Sequence, residues 1–396
     1  MNSSKTASTG LALLAIALLG ANLRPALAAI GPMLDTIQAA TGLGNTGASL
    51  LTTLPVLAMG LGALWSIRLH RAIGDRTGVV AGIVILTLAC AMRAVFDSTF
   101  GLIVTAVLAG TGIAFMQALL PGFIKRRFAG TSSTAIGLFT TAITVGGAGA
   151  AATAPWLADH LGWSAALGTS AVTAALALLV WLFVTRADGK PALQPLPGFA
   201  TRQHHGWWRN GRALTLTLFF GLQAGAYMLV LAWLPPYYTA LGWSATESGL
   251  LLGGVNLMQI VSGIVISVFV NRFRDRRIPL VAVLLLLLAG QIGLVVAPHS
   301  LAIVACSLVG LGLGGIFPLA LIVTMEHSDE PHLTAELLAF VQGGGYLIAS
   351  VMPLVAGYLR DMLADLVYAW MLLGGATLAM LIIAMRFSPE SRVLRG

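Results

Sequence analysis

Twelve apolar stretches, each long enough to cross a lipid bilayer as a helix, recur along the 396-residue chain. A membrane-spanning helix needs about 20 predominantly apolar residues. Lipid offers the backbone no hydrogen-bond partners, so such stretches fold as helices. The sequence therefore predicts an all-α membrane protein with twelve transmembrane helices. The predicted spans are residues 10–34, 47–68, 78–96, 99–122, 133–155, 163–185, 213–236, 247–270, 278–297, 301–324, 334–358 and 364–386.

The composition excludes soluble and disordered proteins. Hydrophobic residues make up 58% of the chain and charged residues only 9%, whereas about 25% of a soluble domain is charged. Disordered chains are polar and highly charged. A net charge of +8 would suggest nucleic acid as the partner of a soluble protein. In a membrane protein, basic residues instead collect in cytoplasmic loops, and no nucleic-acid partner is expected.

The basic residues predict the orientation of the chain. With the N-terminus in the cytoplasm, 19 of the 22 Lys and Arg residues fall on the cytoplasmic side. The other three are Arg24, Arg93 and Arg360, and only Arg360 lies in an outside loop. By the positive-inside rule we expect a multi-pass protein with both termini in the cytoplasm.

A segment rich in proline, glycine and basic residues separates the sixth and seventh spans. It divides the chain into two six-helix halves, and short sequence motifs of the first half recur in the second about 200 residues later. One example is Gly110-Thr111-Gly112, which is answered by Gly310-Leu311-Gly312. We therefore expect two pseudo-symmetric six-helix bundles, at residues 1–185 and 213–396, joined by a cytoplasmic linker at 186–212.

The loops after the second and eighth spans carry the same charged pair. Asp75-Arg76 follows the second span, and Asp275-Arg276 occupies the matching loop of the other half. A charged turn is common in cytoplasmic loops, but recurrence at equivalent positions favours a shared role. We predict that these four residues gate the cytoplasmic face, through salt bridges that break when the halves move apart.

Two arginines lie inside apolar spans, where a charge costs about 2.5–3.5 kcal/mol on insertion scales. Arg24 is near mid-membrane, and Pro25 beside it should open the helix backbone locally. Arg93 is near the outer end of the third span, where it could either face the cavity or extend to the interface. No Asp, Glu or His occupies the middle of a span. An unpaired cation at Arg24 therefore suits an anion, or a neutral ligand rich in acceptors.

Further polar residues recur at helical spacing within the spans and are candidates for a shared cavity. Each of them could equally serve an interhelical hydrogen bond. Together with Arg24 and Arg93, the predicted substrate-binding residues are Asn22, Gln117, Gln223, Tyr227, Asn256, Gln259, Gln342 and Tyr346.

Several segments in both halves resemble the cyanate and 2-nitroimidazole transporter family of the major facilitator superfamily. They include Asn22-Leu23-Arg24-Pro25, Gln117-Ala118-Leu119-Leu120-Pro121, Ala232-Trp233-Leu234-Pro235, Gly314-Gly315-Ile316-Phe317-Pro318 and Leu338-Ala339-Phe340-Val341-Gln342-Gly343. The segment Arg126-Arg127-Phe128, together with Gly315-Ile316-Phe317-Pro318, looks more similar to the cyanate branch.

The resemblance implies a monomeric alternating-access transporter in the bacterial inner membrane, with its substrate bound between the two halves. A small anion such as cyanate is the expected substrate. The alternative is transport or export of a neutral nitroheterocycle or another toxic small molecule.

A membrane-embedded enzyme is the competing class of protein, and it would require clustered catalytic side chains. The nearest group is Glu326, His327 and His332, in a short cytoplasmic loop where a solvated turn is the simpler interpretation. We expect no enzymatic activity, cofactor or metal.

Overall fold

The computed structural model of the chain describes residues 2–128, 132–186, 206–328 and 330–388. These residues contain no β-strand, and they include twelve helices long and apolar enough to cross a membrane. All twelve predicted spans are thereby confirmed. In chain order the helices are α1 (Gly10–Thr41), α2 (Asn45–Ser66), α3 (Ala72–Arg93), α4 (Thr99–Arg127), α5 (Thr134–Leu161), α6 (Trp163–Arg186), α7 (Gly211–Ala240), α8 (Ala245–Phe269), α9 (Arg277–Val296), α10 (Ala302–Met325), α11 (Leu333–Leu363) and α12 (Val367–Met385).

The largest difference at any one predicted boundary is at the end of the first span. The apolar pattern predicts an end at residue 34, whereas α1 continues to Thr41. Gly42 ends it with a left-handed backbone (φ 71°), and its N–H donates to the carbonyl of Gln38. Residues 35–41 are more polar than those before them, so a prediction from hydropathy ends the span too early. The hydrogen-bonded helix itself continues to its glycine cap.

The helices form two six-helix bundles, α1–α6 and α7–α12, as predicted. The main contacts between the bundles are those of α2 with α11 and of α5 with α8, and the second part of α1 packs against α7 and α8. Because the number of spans is even, the start of α1 and the end of α12 lie at one face of the membrane domain. We call this the termini face and the opposite one the far face.

Most of the predicted linker lies outside the described residues, which leave out 187–205. After this gap the chain makes a short turn at Trp207–Arg209 and enters α7. The Asn210 side chain caps α7 by accepting hydrogen bonds from the backbone N–H groups of Arg212 and Ala213, at 2.9 and 3.1 Å. The domain bounds 1–185, 186–212 and 213–396 stay predictions.

α1 is interrupted in the middle of the bundle, as Pro25 led us to expect. Its first α-helical part ends at Ala21, and helix resumes at Pro25–Ala28. Proline has no N–H, and its ring displaces the preceding turn, so the helical ladder cannot run through this point. Residues 22–24 therefore form a turn with non-helical hydrogen bonding deep in a membrane protein.

A glycine of α5 allows the two helices to come together at this break. A Cβ atom added to Gly146 would lie 1.9 Å from the carbonyl oxygen of Ala21, closer than real Cβ atoms approach a backbone atom. Gly149 is on the same helix, and a Cβ added there would meet nothing within 4 Å. The close approach of α5 to α1 thus depends on Gly146.

Gly146→Ala should destabilise the protein, because overpacking of this kind costs about 1–3 kcal/mol. We expect thermal unfolding of the purified protein in detergent to show a melting temperature lowered by several degrees. Gly149→Ala is the matched control and should leave it unchanged or slightly raised, since alanine favours the helix. Equal melting temperatures for the two variants would contradict the tight contact.

Candidate functional site

Arg24 lies at the break in α1 and contacts the other half of the protein. Its guanidinium stacks over the Tyr227 ring, 4.7 Å from the ring centroid, and its Nη1 lies 4.0 Å from the Met228 sulfur. Both partners are on α7. Among the described residues Arg24 forms no ion pair. The structure therefore places a half-buried cation between the two bundles, with an aromatic face on one side and no carboxylate to neutralise it.

Tyr227 links Arg24 to a hydrogen-bonded pair on α8. The Tyr227 hydroxyl donates to Asn256 Oδ1 at 3.2 Å, and Gln259 Nε2 donates to the same oxygen at 3.3 Å. Asn256 is fully buried, and its amide nitrogen donates to the Leu252 carbonyl at 3.1 Å. Three of the predicted residues thus form one network beside Arg24, and the network holds the Tyr227 ring in place.

Two more predicted residues lie near this network. Tyr346 of α11 packs edge-on against Phe220 of α7, with ring centroids 5.4 Å apart, and it interacts electrostatically with Arg24. Gln223 is one helical turn from Tyr227 and only 2% exposed, and its Nε2 has no hydrogen-bond partner in the structure. An unpaired buried donor costs about 1–3 kcal/mol. Gln223 therefore holds a donor that a ligand could satisfy.

Gln117 and Gln342 are half-buried on α4 and α11. Within the described part of the chain neither side chain makes a hydrogen bond, and neither joins the network around Arg24. Their assignment to the substrate site stays a prediction.

Asn22 and Arg93 contact the break itself. Asn22 donates to the Leu18 carbonyl at 2.8 Å and to the Thr173 carbonyl of α6 at 3.2 Å, and it accepts from the Thr173 hydroxyl at 2.7 Å. Arg93 donates to the Ala26 carbonyl at 2.7 Å. Arg93 is 1% exposed, so the alternative in which it extends to the interface is wrong. Both side chains are engaged with protein groups of the first half, and their predicted contact with substrate stays a prediction.

In the charged loop of the first half, the described contacts of Asp75 stay within that half. Asp75 is buried and bonds both to His70 and to Arg126 at the end of α4. These partners belong to the same half as Asp75, so the described contacts of this carboxylate do not cross between bundles. Arg76 is half-buried beside it.

In the equivalent loop of the second half, the signs of the charged pair are reversed: the loop supplies the cation and the neighbouring helix end supplies the anion. Here the loop residue Arg276 pairs with Glu326 at the end of α10, with Nε 2.8 Å from Oε1. Asp275 accepts from the Arg277 guanidinium at 2.6 and 2.8 Å, and these hydrogen bonds hold the pKa of Asp275 below its usual range. Arg126 and Glu326, 200 residues apart in the sequence, thus carry opposite charges, and each pairs with a loop residue of the opposite sign, Asp75 and Arg276 respectively. The gating roles of Asp75, Arg76, Asp275 and Arg276 stay predictions.

In the loop considered for catalysis, the two described side chains, Glu326 and His327, make separate contacts. Glu326 is paired with Arg276, and His327 Nδ1 bonds to the Val323 carbonyl at 2.6 Å. Burial lowers the pKa of His327, which favours the neutral ring. The side chain of His332 is outside the described part of the structure. Across the described residues no group of three or more His, Cys, Asp and Glu is arranged to hold a metal.

Contacts between the halves at the far face were not predicted from the sequence. The N-terminus of α2 lacks a side-chain cap from its own N-cap residue, Gly44. Asp361 of α11 supplies one: its carboxylate accepts from the backbone and side chain of Asn45 at 3.1 and 2.7 Å. It also accepts from the backbone and hydroxyl of Thr46 at 2.8 and 2.6 Å. An acidic group at a helix N-terminus is favourable, so one carboxylate joins the two halves.

A second carboxylate bridges the halves at the same face. Asp35 of α1 accepts a hydrogen bond from the Thr239 hydroxyl of α7 and lies 3.8 Å from Arg360 of α11. The Arg360 guanidinium in turn lies over Trp233, 5.6 Å from the ring centroid. The far face is thus held closed by polar contacts. From the sequence it was known only that Asp35 and Asp361 lie outside the middle of the predicted spans.

Asp361→Asn should weaken closure of the far face, because an amide cannot accept four hydrogen bonds or complement the α2 dipole. The reporter is Ser49→Cys, a position 1% exposed near this contact, in a chain that also carries Cys90→Ala and Cys306→Ala. We expect Asp361→Asn to raise its labelling by an impermeant maleimide severalfold.

Asp365→Asn is the matched control, because Asp365 caps only its own neighbour, the Val367 N–H, at 2.8 Å. It should leave labelling unchanged. Labelling that responds equally to both substitutions would show that Asp361 does not join the halves.

Comparison with known proteins agrees with this geometry. A family model of the Major Facilitator Superfamily matches residues 10–335 and 216–395. The Escherichia coli cyanate transport protein CynX is 35% identical over 382 residues, covering 95% of this chain and 97% of that protein. The E. coli 2-nitroimidazole transporter is 30% identical over 349 residues, covering 87% of both chains.

Solved structures share the fold at low sequence identity. A D-xylose–proton symporter superposes with a TM-score of 0.77 at 13% identity, covering 98% of this chain and 100% of the other. The nucleoside transporter NupG superposes with a TM-score of 0.74 at 12% identity, covering 95% and 99%. With its twelve helices in two bundles and these relatives across almost its whole length, the chain belongs to the major facilitator superfamily of membrane transporters.

Proposed function

We propose that the protein is an alternating-access transporter of a small anion, in the first place cyanate, and that Arg24 is the anchor for the anion. It works as a monomer in the bacterial inner membrane, with the termini face in the cytoplasm. The observation that carries the proposal is the Arg24 guanidinium between the two bundles, next to Tyr227 and without an ion pair among the described residues.

The chemistry around Arg24 suits a small monovalent anion. One face of the guanidinium is covered by Tyr227, a cation–π contact that leaves the N–H edge available. Charge-assisted hydrogen bonds from such an edge are about twice as strong as neutral ones. Gln223 Nε2 adds an unpaired donor, and the Tyr346 phenol lies within electrostatic range. Cyanate, a linear anion of three atoms, needs no more donors than these.

Contacts at opposite ends of the bundles support alternating access. Asp361 and Asp35 close the far face across the halves, while Asp75 and Arg276 pair within their own halves at the termini face. Moving the halves apart at the far face would break the first set. The substrate site at Arg24 would then open toward one face at a time.

The energetics restrict how an anion could be accumulated. Moving one negative charge inward against an inside-negative potential costs about 2.3 kcal/mol per 100 mV. Exchange for an internal anion, a symported cation or intracellular consumption of the substrate would offset this cost.

Transport or export of a neutral nitroheterocycle is the second candidate function. The Tyr227 ring contacts Arg24, and Tyr346 packs against Phe220; such rings offer faces and edges for an aromatic ligand. Arg24 would then donate to the nitro oxygens. The 30% identity to a 2-nitroimidazole transporter supports this candidate.

Uptake of radiolabelled cyanate into proteoliposomes at clamped potential tests the function, with unlabelled cyanate or bicarbonate inside. We expect saturable uptake that internal anion accelerates. Arg24→Gln should raise the KM about 100-fold or abolish uptake, since it removes the charge that binds the anion. Arg24→Lys should retain part of it.

Arg272→Gln is the matched control, because Arg272 stacks on Phe269 at the same 4.7 Å but lies at the termini face. Its KM should not change. If Arg24→Gln transports cyanate normally, or if labelled 2-nitroimidazole is transported and cyanate is not, the anion proposal is lost.

Gln223→Met should separate binding from stability. Removing a buried donor that has no partner removes its desolvation penalty, so the melting temperature should stay the same or rise. The KM for cyanate should nevertheless increase about threefold to tenfold, equivalent to one lost hydrogen bond. Equal loss of stability and affinity would indicate a packing role instead.

A further inference from the structure

We infer that Arg93 is a positioning residue: it fixes the broken segment of α1 and thereby aims Arg24 at the substrate. The inference rests on the proposed function, in which Arg24 anchors the anion. It assigns Arg93 neither to the substrate nor to the membrane interface, and it makes the geometry of the site depend on a side chain from α3.

The contacts of Arg93 point inward to protein groups. The side chain is 1% exposed. Its Nη1 donates to the Ala26 carbonyl at 2.7 Å, and its Nε lies 3.3 Å from the Thr105 hydroxyl oxygen of α4. The Thr105 hydroxyl in turn donates to the Leu102 carbonyl at 3.0 Å, so its oxygen is oriented to accept from Arg93. A guanidinium held by α1 and α4 at once has little freedom to follow a transported ligand.

The Ala26 carbonyl needs this donor because the helix is interrupted a second time, after Ala28. In a continuous helix the N–H of Ile30 would donate to it, but the N–H of Ile30 donates instead to the Leu27 carbonyl at 3.3 Å. A backbone carbonyl buried in a membrane protein without a partner is costly. Arg93 supplies a charge-assisted hydrogen bond to it, and the carboxyl end of the short Pro25–Ala28 helix favours a cation there.

Other contacts at the break also come from the first half. Asn22 is tied to Thr173 of α6, and Gly146 of α5 packs against Ala21. Residues on both sides of Arg24 are therefore fixed to α3, α5 and α6. Arg24 differs from them because its guanidinium reaches across to Tyr227 in the second half. The backbone of α1 is thus fixed to the first half, while the Arg24 side chain extends to the second half.

Arg93 acts on Arg24 through a short piece of backbone. Ala26 is two residues from Arg24, and the carbonyl of Arg24 itself accepts hydrogen bonds from Leu27 and Ala28 at 3.0 and 2.9 Å. A shift at Ala26 is therefore transmitted to Arg24. Misplacement of a binding group by about 1 Å is enough to lower function by orders of magnitude.

A double-mutant cycle on cyanate affinity tests the inference, using Arg93→Met, Arg24→Lys and the double variant of the full-length protein. The dissociation constant is measured by isothermal titration in detergent. We expect Arg93→Met to weaken binding about tenfold when Arg24 is present, and less than about threefold in the Arg24→Lys background, because coupled residues are not additive. A merely structural residue would give the same loss in both backgrounds.

Two further variants keep the test decisive if Arg93→Met folds poorly. Arg93→Lys retains a charged donor for Ala26 and should restore most of the affinity. Thr105→Val removes the Nε contact and the hydroxyl's hydrogen bond to the Leu102 carbonyl but keeps the Nη1 bond to Ala26, so it should leave affinity nearly unchanged. Hydrogen–deuterium exchange of residues 22–30 should rise in Arg93→Met and return toward the native level in Arg93→Lys.

The possible failures are distinguishable. Equal losses in both backgrounds, or full affinity in Arg93→Met, overturn the positioning role while Arg24 keeps its own. Unchanged cyanate affinity in Arg24→Lys and Arg24→Gln overturns the proposed function, and the positioning of an anion anchor with it.

Discussion

The interruption of the α1 hydrogen-bond ladder at Pro25 is the constraint on which the central part of the structure depends. A break inside the bilayer leaves backbone groups that lipid cannot satisfy, so the surrounding helices must supply partners. Arg93 of α3 donates to the Ala26 carbonyl, and Thr173 of α6 bonds to the Asn22 side chain, which itself donates to the Leu18 carbonyl. Once the segment is held in this way, Arg24 can project into the gap between the bundles without the whole helix moving.

The two halves are repeats, but they carry different side chains at corresponding positions, and these differences create the contacts between charged and aromatic groups. α1 is broken at Arg24, whereas α7 continues through Tyr227 as a single helix. When Pro32 is aligned with Pro235, Arg24 corresponds to Tyr227, and in the structure the two side chains stack on each other. The ion pairs at the termini face are also inverted, since Asp75 bonds to Arg126 while Arg276 bonds to Glu326. A duplicated scaffold thus places complementary groups opposite one another across its interface.

The polar contacts divide into those that stay within a half and those that cross between halves. The network of Tyr227, Asn256 and Gln259 belongs to the second half and fixes the aromatic face that Arg24 meets. Asp361 and Asp35 cross between halves, with one carboxylate replacing the missing cap of α2. Such exposed hydrogen bonds can be exchanged for water at modest cost, which suits contacts that must form and break during transport.

The sequence alone determined the twelve spans, the two bundles and the unusual position of Arg24, because hydropathy, internal repetition and the cost of a charge in lipid are local properties of the chain. It also identified Tyr227, Asn256 and Gln259 as candidates by their helical spacing. It could not tell that Asn22 and Arg93 bond to the broken helix, or that Asp361 caps α2 from 315 residues away. Those partners are chosen by how helices distant in sequence pack together, and only the tertiary structure brings their donors and acceptors within hydrogen-bonding distance.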